Sequence, residues 1–147
     1  MNQKDTVVVS IDFQERLVPA MVDYRPMLDE AVKLLKGVDI LRIPVIFTQQ
    51  YTKGLGDTVS EIKSAYCEFS HIEKQSFSVV GAKDFCDCLD EIKPKNIIIL
   101  GIETHICVLQ SALDLLDEGF NVFVAADCVS SRKKFDKERW AGYKRRG

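Results

Sequence analysis

The chain alternates short apolar runs with longer amphipathic stretches, and the two periods separate cleanly. Thr6-Val7-Val8-Val9-Ser10-Ile11 is β-branched and apolar on both faces, the pattern of a strand buried on both sides of a parallel sheet. Leu28, Ala31, Val32, Leu35, Val38 and Leu41 recur at helical spacing, which predicts a helix over residues 27–41 that Ile43-Pro44 breaks. Residues 45–48 read as a second strand. Residues 49–63 are polar and carry Gly54 and Gly56, which predicts a loop long enough to be functional. A third extended piece spans residues 72–74. A helix follows over 82–92 and stops before Pro94. Residues 96–100 form a strand, and a short turn leads into a helix over 107–116 with Gly119 as its cap. The last strand covers 121–125.

Strands alternating with helices predict an α/β fold. The sheet is doubly wound and mostly parallel, with helices on both faces, in a single domain over residues 1–147. Sheets of this type usually continue into another helix and strand. The C-terminal part therefore reads as shortened, with residues 121–125 left as an exposed edge.

Composition narrows the class. The chain has 147 residues and is 46% hydrophobic, enough for a real core. No apolar run approaches the roughly 20 residues needed to span a bilayer, and the polar start Met1-Asn2-Gln3-Lys4-Asp5 does not read as a signal peptide. Five cysteines, without disulfide-like spacing, point to a reducing cytoplasm. Cys86 and Cys88 lie two apart with no second Cys or His pair nearby, so they read as structural and no metal is expected. Net charge is −2. Residues 132–147 hold eight Lys or Arg against two Asp or Glu, a surplus of six positive charges that leaves −8 on the rest. An acidic body with a basic end, and no supporting motif, is not a nucleic-acid footprint; the basic end reads as a solvated helix or frayed terminus. The expected partners are a small-molecule substrate and further copies of the chain, with no membrane, nucleic acid or cofactor.

The candidate chemistry sits where an open α/β sheet keeps it, at the carboxyl ends of the strands. Asp12 ends the first strand, Lys74 lies in the third extended segment, and Cys107 follows the fourth strand in the first turn of a helix. A thiol there feels the helix N-terminus, and Lys74 would further favour the thiolate. Asp12 would accept the thiol proton and later orient a water. Backbone N–H groups of the turn before Cys107 would face the oxygen of a tetrahedral intermediate. Taken singly, each residue has an ordinary structural explanation: a buried core thiol, a turn-capping Asp, a solvated Lys.

Four segments give these residues a shared context. They are Val9-Ser10-Ile11-Asp12-Phe13-Gln14, Lys74-Gln75-Ser76-Phe77-Ser78, Gly101-Ile102-Glu103-Thr104-His105-Ile106-Cys107-Val108 and Ala126-Asp127-Cys128-Val129-Ser130-Ser131-Arg132. In order and spacing they resemble the isochorismatase-like cysteine hydrolases. The resemblance implies a catalytic triad of Asp12, Lys74 and Cys107, and a cis peptide bond between Ile102 and Glu103. It implies an oxyanion hole from the N–H groups of Glu103 and Cys107. Phe13, Phe77, Glu103 and Thr104 are then the expected substrate-binding residues. The metal-binding Asp-x-His of the family's nicotinamidases is replaced here by Gln49-Gln50-Tyr51, and His71 and His105 are the only histidines, which implies a metal-free member. Cys107 argues against isochorismate cleavage, because members with that activity lack the nucleophilic Cys. The implied activity is hydrolysis of a small amide-like C–N bond through a covalent thioester. The alternative is a non-catalytic or redox-sensing binding protein on the same fold.

Overall fold

In the computed structural model, which describes residues 2–143, five strands form one all-parallel sheet in the order β3-β2-β1-β4-β5. The strands are β1 (Thr6–Ile11), β2 (Val45–Gln50), β3 (His71–Lys74), β4 (Asn96–Ile102) and β5 (Asn121–Ser130). The helices are α1 (Tyr24–Ile40), α2 (Thr52–Leu55), α3 (Ser60–Lys63), α4 (Lys83–Ile92), α5 (Leu109–Asp117) and α6 (Lys134–Tyr143). Among the described residues no helix is long and apolar enough to cross a membrane. Of the basic stretch 132–147, α6 covers the middle, and residues 144–147 lie outside the described residues; so do the side chains of Trp140 and Tyr143.

Alternating side chains on the central strands feed two cores. Val8, Leu100 and Ile102 pack with Leu28, Ala31 and Leu35 of α1 on one face. Val7, Val9, Ile97 and Ile99 pack with Phe85 and Leu89 of α4 and Val108 and Leu115 on the other. Every residue of β1 is buried, as a strand covered on both faces requires. The chain runs outward from β1 through β2 to β3, then crosses back to β4 on the opposite side. The switch point therefore lies between the carboxyl ends of β1 and β4, where a sheet of this kind opens a crevice.

Several boundaries move for identifiable reasons. Helix α1 begins at Tyr24 instead of Met27. Pro26 sits inside its first turn, where a missing N–H leaves no hydrogen bond unmade. Strand β2 extends to Gln50 because β3 pairs with it there, Gln50 opposite Lys74. Strand β5 runs on to Ser130 past an irregularity in its pairing with β4. The expected loop over 49–63 is instead built around α2 and α3, for reasons that belong to the site. Gly119 closes α5 as predicted: at φ +92° it lets its own N–H reach Leu116 O and that of Phe120 reach Leu115 O. Among the described residues strand β5 pairs with β4 alone, and Phe123 on it is exposed, in line with the expected edge.

Candidate active site

Asp12 leaves β1 in the left-handed region, φ +54°, a conformation that Asp tolerates better than most residues. Its carboxylate is fully buried. Thr48 of β2 donates its hydroxyl to Oδ1 at 2.8 Å, and Lys74 Nζ lies 2.7 Å from Oδ2. Two strand spacings of about 4.8 Å separate β3 from β1, so only a long side chain reaches across β2. The Lys74 ammonium, also fully buried, donates to Gln50 Oε1 at 2.7 Å and to the carbonyls of Ser76 and Phe77 at 3.1 Å. Those three bonds use its three hydrogens. Asp12 Oδ2 is therefore an ion-pair partner with no well-aligned N–H or O–H donor of its own.

On the other side of β1, Gly101 has φ +135°, and a Cβ there would stand 2.2 Å from Ile11 O. Only glycine lets β4 come this close to β1 beneath the site. The Ile102–Glu103 peptide bond is cis. A π-helical turn, Thr104–Val108, follows and carries Cys107, which is 8% exposed. Its sulfur faces the cavity that Asp12 and Glu103 also line.

The electrostatics differ from the expected thiolate. Burial, followed by the Asp12 charge, pushes the Cys107 thiol up to about 11, and Lys74 only partly opposes them. Cys107 lies within a π-helical turn that precedes the regular helix α5. Asp12 is moved up as well, by burial against the pull of Lys74 and Thr48. The thiol therefore rests protonated, beside the buried Asp12–Lys74 pair.

A cavity of about 230 Å³ opens onto the sulfur, lined by Asp12, Gln50, Cys107 and Glu103 and walled by Leu17, Leu55, Phe77, Ile102, Ile106 and Arg132. Among the expected binding residues, Phe77 and Glu103 line it. Phe13 points into the α1-side core and is 1% exposed, because side chains alternate across the strand end and Asp12 takes the cavity side. Thr104 is fully buried and outside the lining. Glu103 turns its carboxylate to Arg132, accepting from its backbone N–H and ion-pairing with Nε, each at 3.2 Å. His105 links the Cys107 turn to the end of β5 and to α6, with Nδ1 2.9 Å from Ser131 Oγ and Nε2 3.8 Å from Asp136. Among the described residues no group of three or more His, Cys, Asp or Glu is placed to hold a metal.

Gln14, Gln49, Gln50 and Leu55 went unassigned at the sequence level. Gln14 is fully buried; it donates to Gln50 O and Gly56 O and accepts from Gln50 N. Gln49 accepts from both the N–H and hydroxyl of Thr58 and donates to Thr52. These bonds convert residues 49–63 from a loop into a fixed wall and place Leu55 over the cavity. Gln14 and Arg132 sit in segments already noted for their context; the others owe their positions to strand register, which has no local sequence signature.

The model of the Isochorismatase domain family matches residues 6–142. The chain belongs to this family. Among family relatives, Isochorismatase domain-containing protein 1 of Salmo salar is 38% identical over 132 residues, covering 90% of this chain and 46% of that protein. The chain thus spans about half the length of that relative. Two solved structures of the same fold are similar. The MAR1 ribonuclease from Caenorhabditis elegans superposes with a TM-score of 0.90 at 36% identity, covering 97% of this chain and 73% of the other. YcaC from Pseudomonas aeruginosa, solved with hexane-2,5-diol and covalent acrylamide, gives 0.87 at 25%, with 97% and 72% covered.

Proposed function

We propose that the protein hydrolyses a small amide-like C–N bond, with Cys107 as nucleophile, Asp12 as proton carrier and Lys74 as fixed cation. The observation that carries this reading is a thiol that shares a cavity with Asp12, whose Oδ2 meets a buried ammonium at 2.7 Å. Cys107 Sγ attacks the carbonyl carbon while its proton passes to Asp12. The oxyanion is met by the backbone N–H groups of Glu103 and Cys107. Collapse breaks the C–N bond, and Asp12 protonates the leaving amine. Water then attacks the thioester as Asp12 takes its proton; the C–S bond breaks, and the thiolate recovers a proton from Asp12. Lys74 compensates the charge that moves between oxygen and sulfur without itself releasing a proton.

Family membership supports a hydrolase, and covalent acrylamide in the Pseudomonas YcaC fits a reactive side chain on this fold. Redox sensing is less well supported, since sensor thiols are held at low pKa and Cys107 is pushed up to about 11. The ribonuclease name of the Caenorhabditis neighbour suggests RNA as a rival substrate. A small, apolar-walled cavity with a thiol at its floor suits acyl chemistry better than a phosphodiester. Mass spectrometry during turnover of a substrate amide should find an acyl group on Cys107, released by hydroxylamine. Turnover with no adduct on Cys107, or with the adduct on another thiol, rejects the assignment.

A further inference from the structure

Most polar groups at the cavity already face a partner inside the protein, and this limits what can enter. Gln50 accepts from Lys74 through Oε1 and donates to Gln75 O through Nε2. Glu103 has both oxygens on Arg132. Lys74 has its three hydrogens on protein oxygens and its charge opposed by Asp12. The Arg132 side chain, at the mouth, is 58% exposed and countered by Glu103 at 3.2 Å, so an incoming anion meets a compensated, water-screened charge. Asp12 Oδ2, which has no hydrogen-bond donor, faces the Lys74 ammonium at 2.7 Å and takes the thiol proton in the proposed reaction; what remains is largely the hydrocarbon of Leu17, Leu55, Phe77 and Ile106.

We infer that the group this cavity takes beside Cys107 is neutral and apolar, up to the size of a six-membered ring. An engineered apolar cavity of about 150 Å³ binds benzene; a cavity of about 230 Å³ holds that ring together with a carbonyl group. A carboxylate on the same group loses its water beside the Asp12 and Glu103 carboxylates, and an ammonium that approaches Asp12 does so against the Lys74 charge. The inference rests on the hydrolase reading for its substrate class, neutral amides of aliphatic or aromatic acids. The cavity's preference can be read separately.

The test uses the whole protein and two ligand series. Butyraldehyde and benzaldehyde, against succinic semialdehyde and glyoxylate, report reversible thiohemiacetal formation on Cys107 by protection from iodoacetamide. Butyramide and benzamide, against succinamate and glycinamide, report hydrolysis. The apolar members should be preferred by at least about tenfold in both series, and Phe77→Ala should weaken benzaldehyde several-fold more than butyraldehyde. Equal or better binding of the anionic aldehydes overturns the inference even if amides are cleaved. Apolar preference among the aldehydes with no amide cleaved leaves the inference standing and removes the hydrolase reading. Absence of any aldehyde adduct overturns both.

Discussion

Cys107 and Cys128 lie near the carboxyl ends of adjacent strands, on opposite faces of the sheet. Both are buried, at 8% and 2% exposed. Burial is the main reason both thiols are pushed up, to about 11 and about 12. Their surroundings differ in kind. Cys128 packs in the α1-side core beside Asp127 and has no cation among the groups that act on it. Cys107 faces a cavity and has a carboxylate beside it with an ammonium behind. A low resting pKa is therefore not what distinguishes the proposed nucleophile. The difference is an internal acceptor for its proton and a fixed positive charge that keeps the pair together during transfer.

The largest effect that breaks the comparison is removal of each thiol in turn. Cys107→Ser should lower kcat on an accepted amide by about 10³-fold or more, with the unfolding midpoint in urea little changed. Cys128→Ala should leave kcat within about twofold and lower stability by on the order of 1 kcal/mol. Equal activity loss in the two variants would mean that both act through the fold.

Asp12→Asn separates proton acceptance from thiol acidity, because they move in opposite directions. Turnover should fall about 10²–10⁴-fold for want of a base. The Asp12 charge raises the Cys107 pKa, so its loss lowers it. Iodoacetamide at pH 8 should then alkylate Cys107 faster in the variant than in the parent, as read by mass spectrometry. Slower alkylation together with lost turnover would show that Asp12 activates the thiol at rest, contrary to the neutral-thiol picture.

Lys74→Met gives Cys107 the setting of Cys128, a buried thiol near a carboxylate with no cation. It removes one member of a pair in which both side chains are 0% exposed. Such a loss typically costs about 3–5 kcal/mol, measured by urea unfolding at pH 7. The thiol pKa should rise further, since Lys74 is the cation that lowers it. A cost below about 1 kcal/mol would assign the ammonium to a surface-like role its burial does not suggest.

The strands and helices could be read from sequence because each has a strong period: β1 is apolar on every side chain, and α1 repeats at three and four. The three chemical residues could be read because each sits in a distinctive local segment at a strand end. What could not be read depends on register. Nothing near Gln50 indicates that it lies opposite Lys74. Nothing near Leu55 indicates that Gln14, 41 positions earlier, fixes the wall that carries it. The thiol's acidity was misjudged because a helix terminus and a lysine are visible in sequence, while burial, the largest influence, is a property of the fold.

The smallest effect distinguishes the two thiols by pH. Each folded thiol holds its proton above the ordinary value of 9.0, up to about 11 for Cys107 and about 12 for Cys128. The folded state therefore binds more protons than the unfolded state above pH 9, and stability falls as pH rises. Each thiol should contribute on the order of 1 kcal/mol of that loss by pH 10. Cys107→Ala and Cys128→Ala should each flatten the alkaline side of a urea-midpoint profile by a similar amount near pH 10. They should diverge higher up: the Cys107 contribution levels off once pH passes about 11, whereas that of Cys128 continues towards 12. A profile unchanged by Cys107→Ala would mean that water or Lys74 already offsets the burial, so that the thiol titrates near its unfolded value.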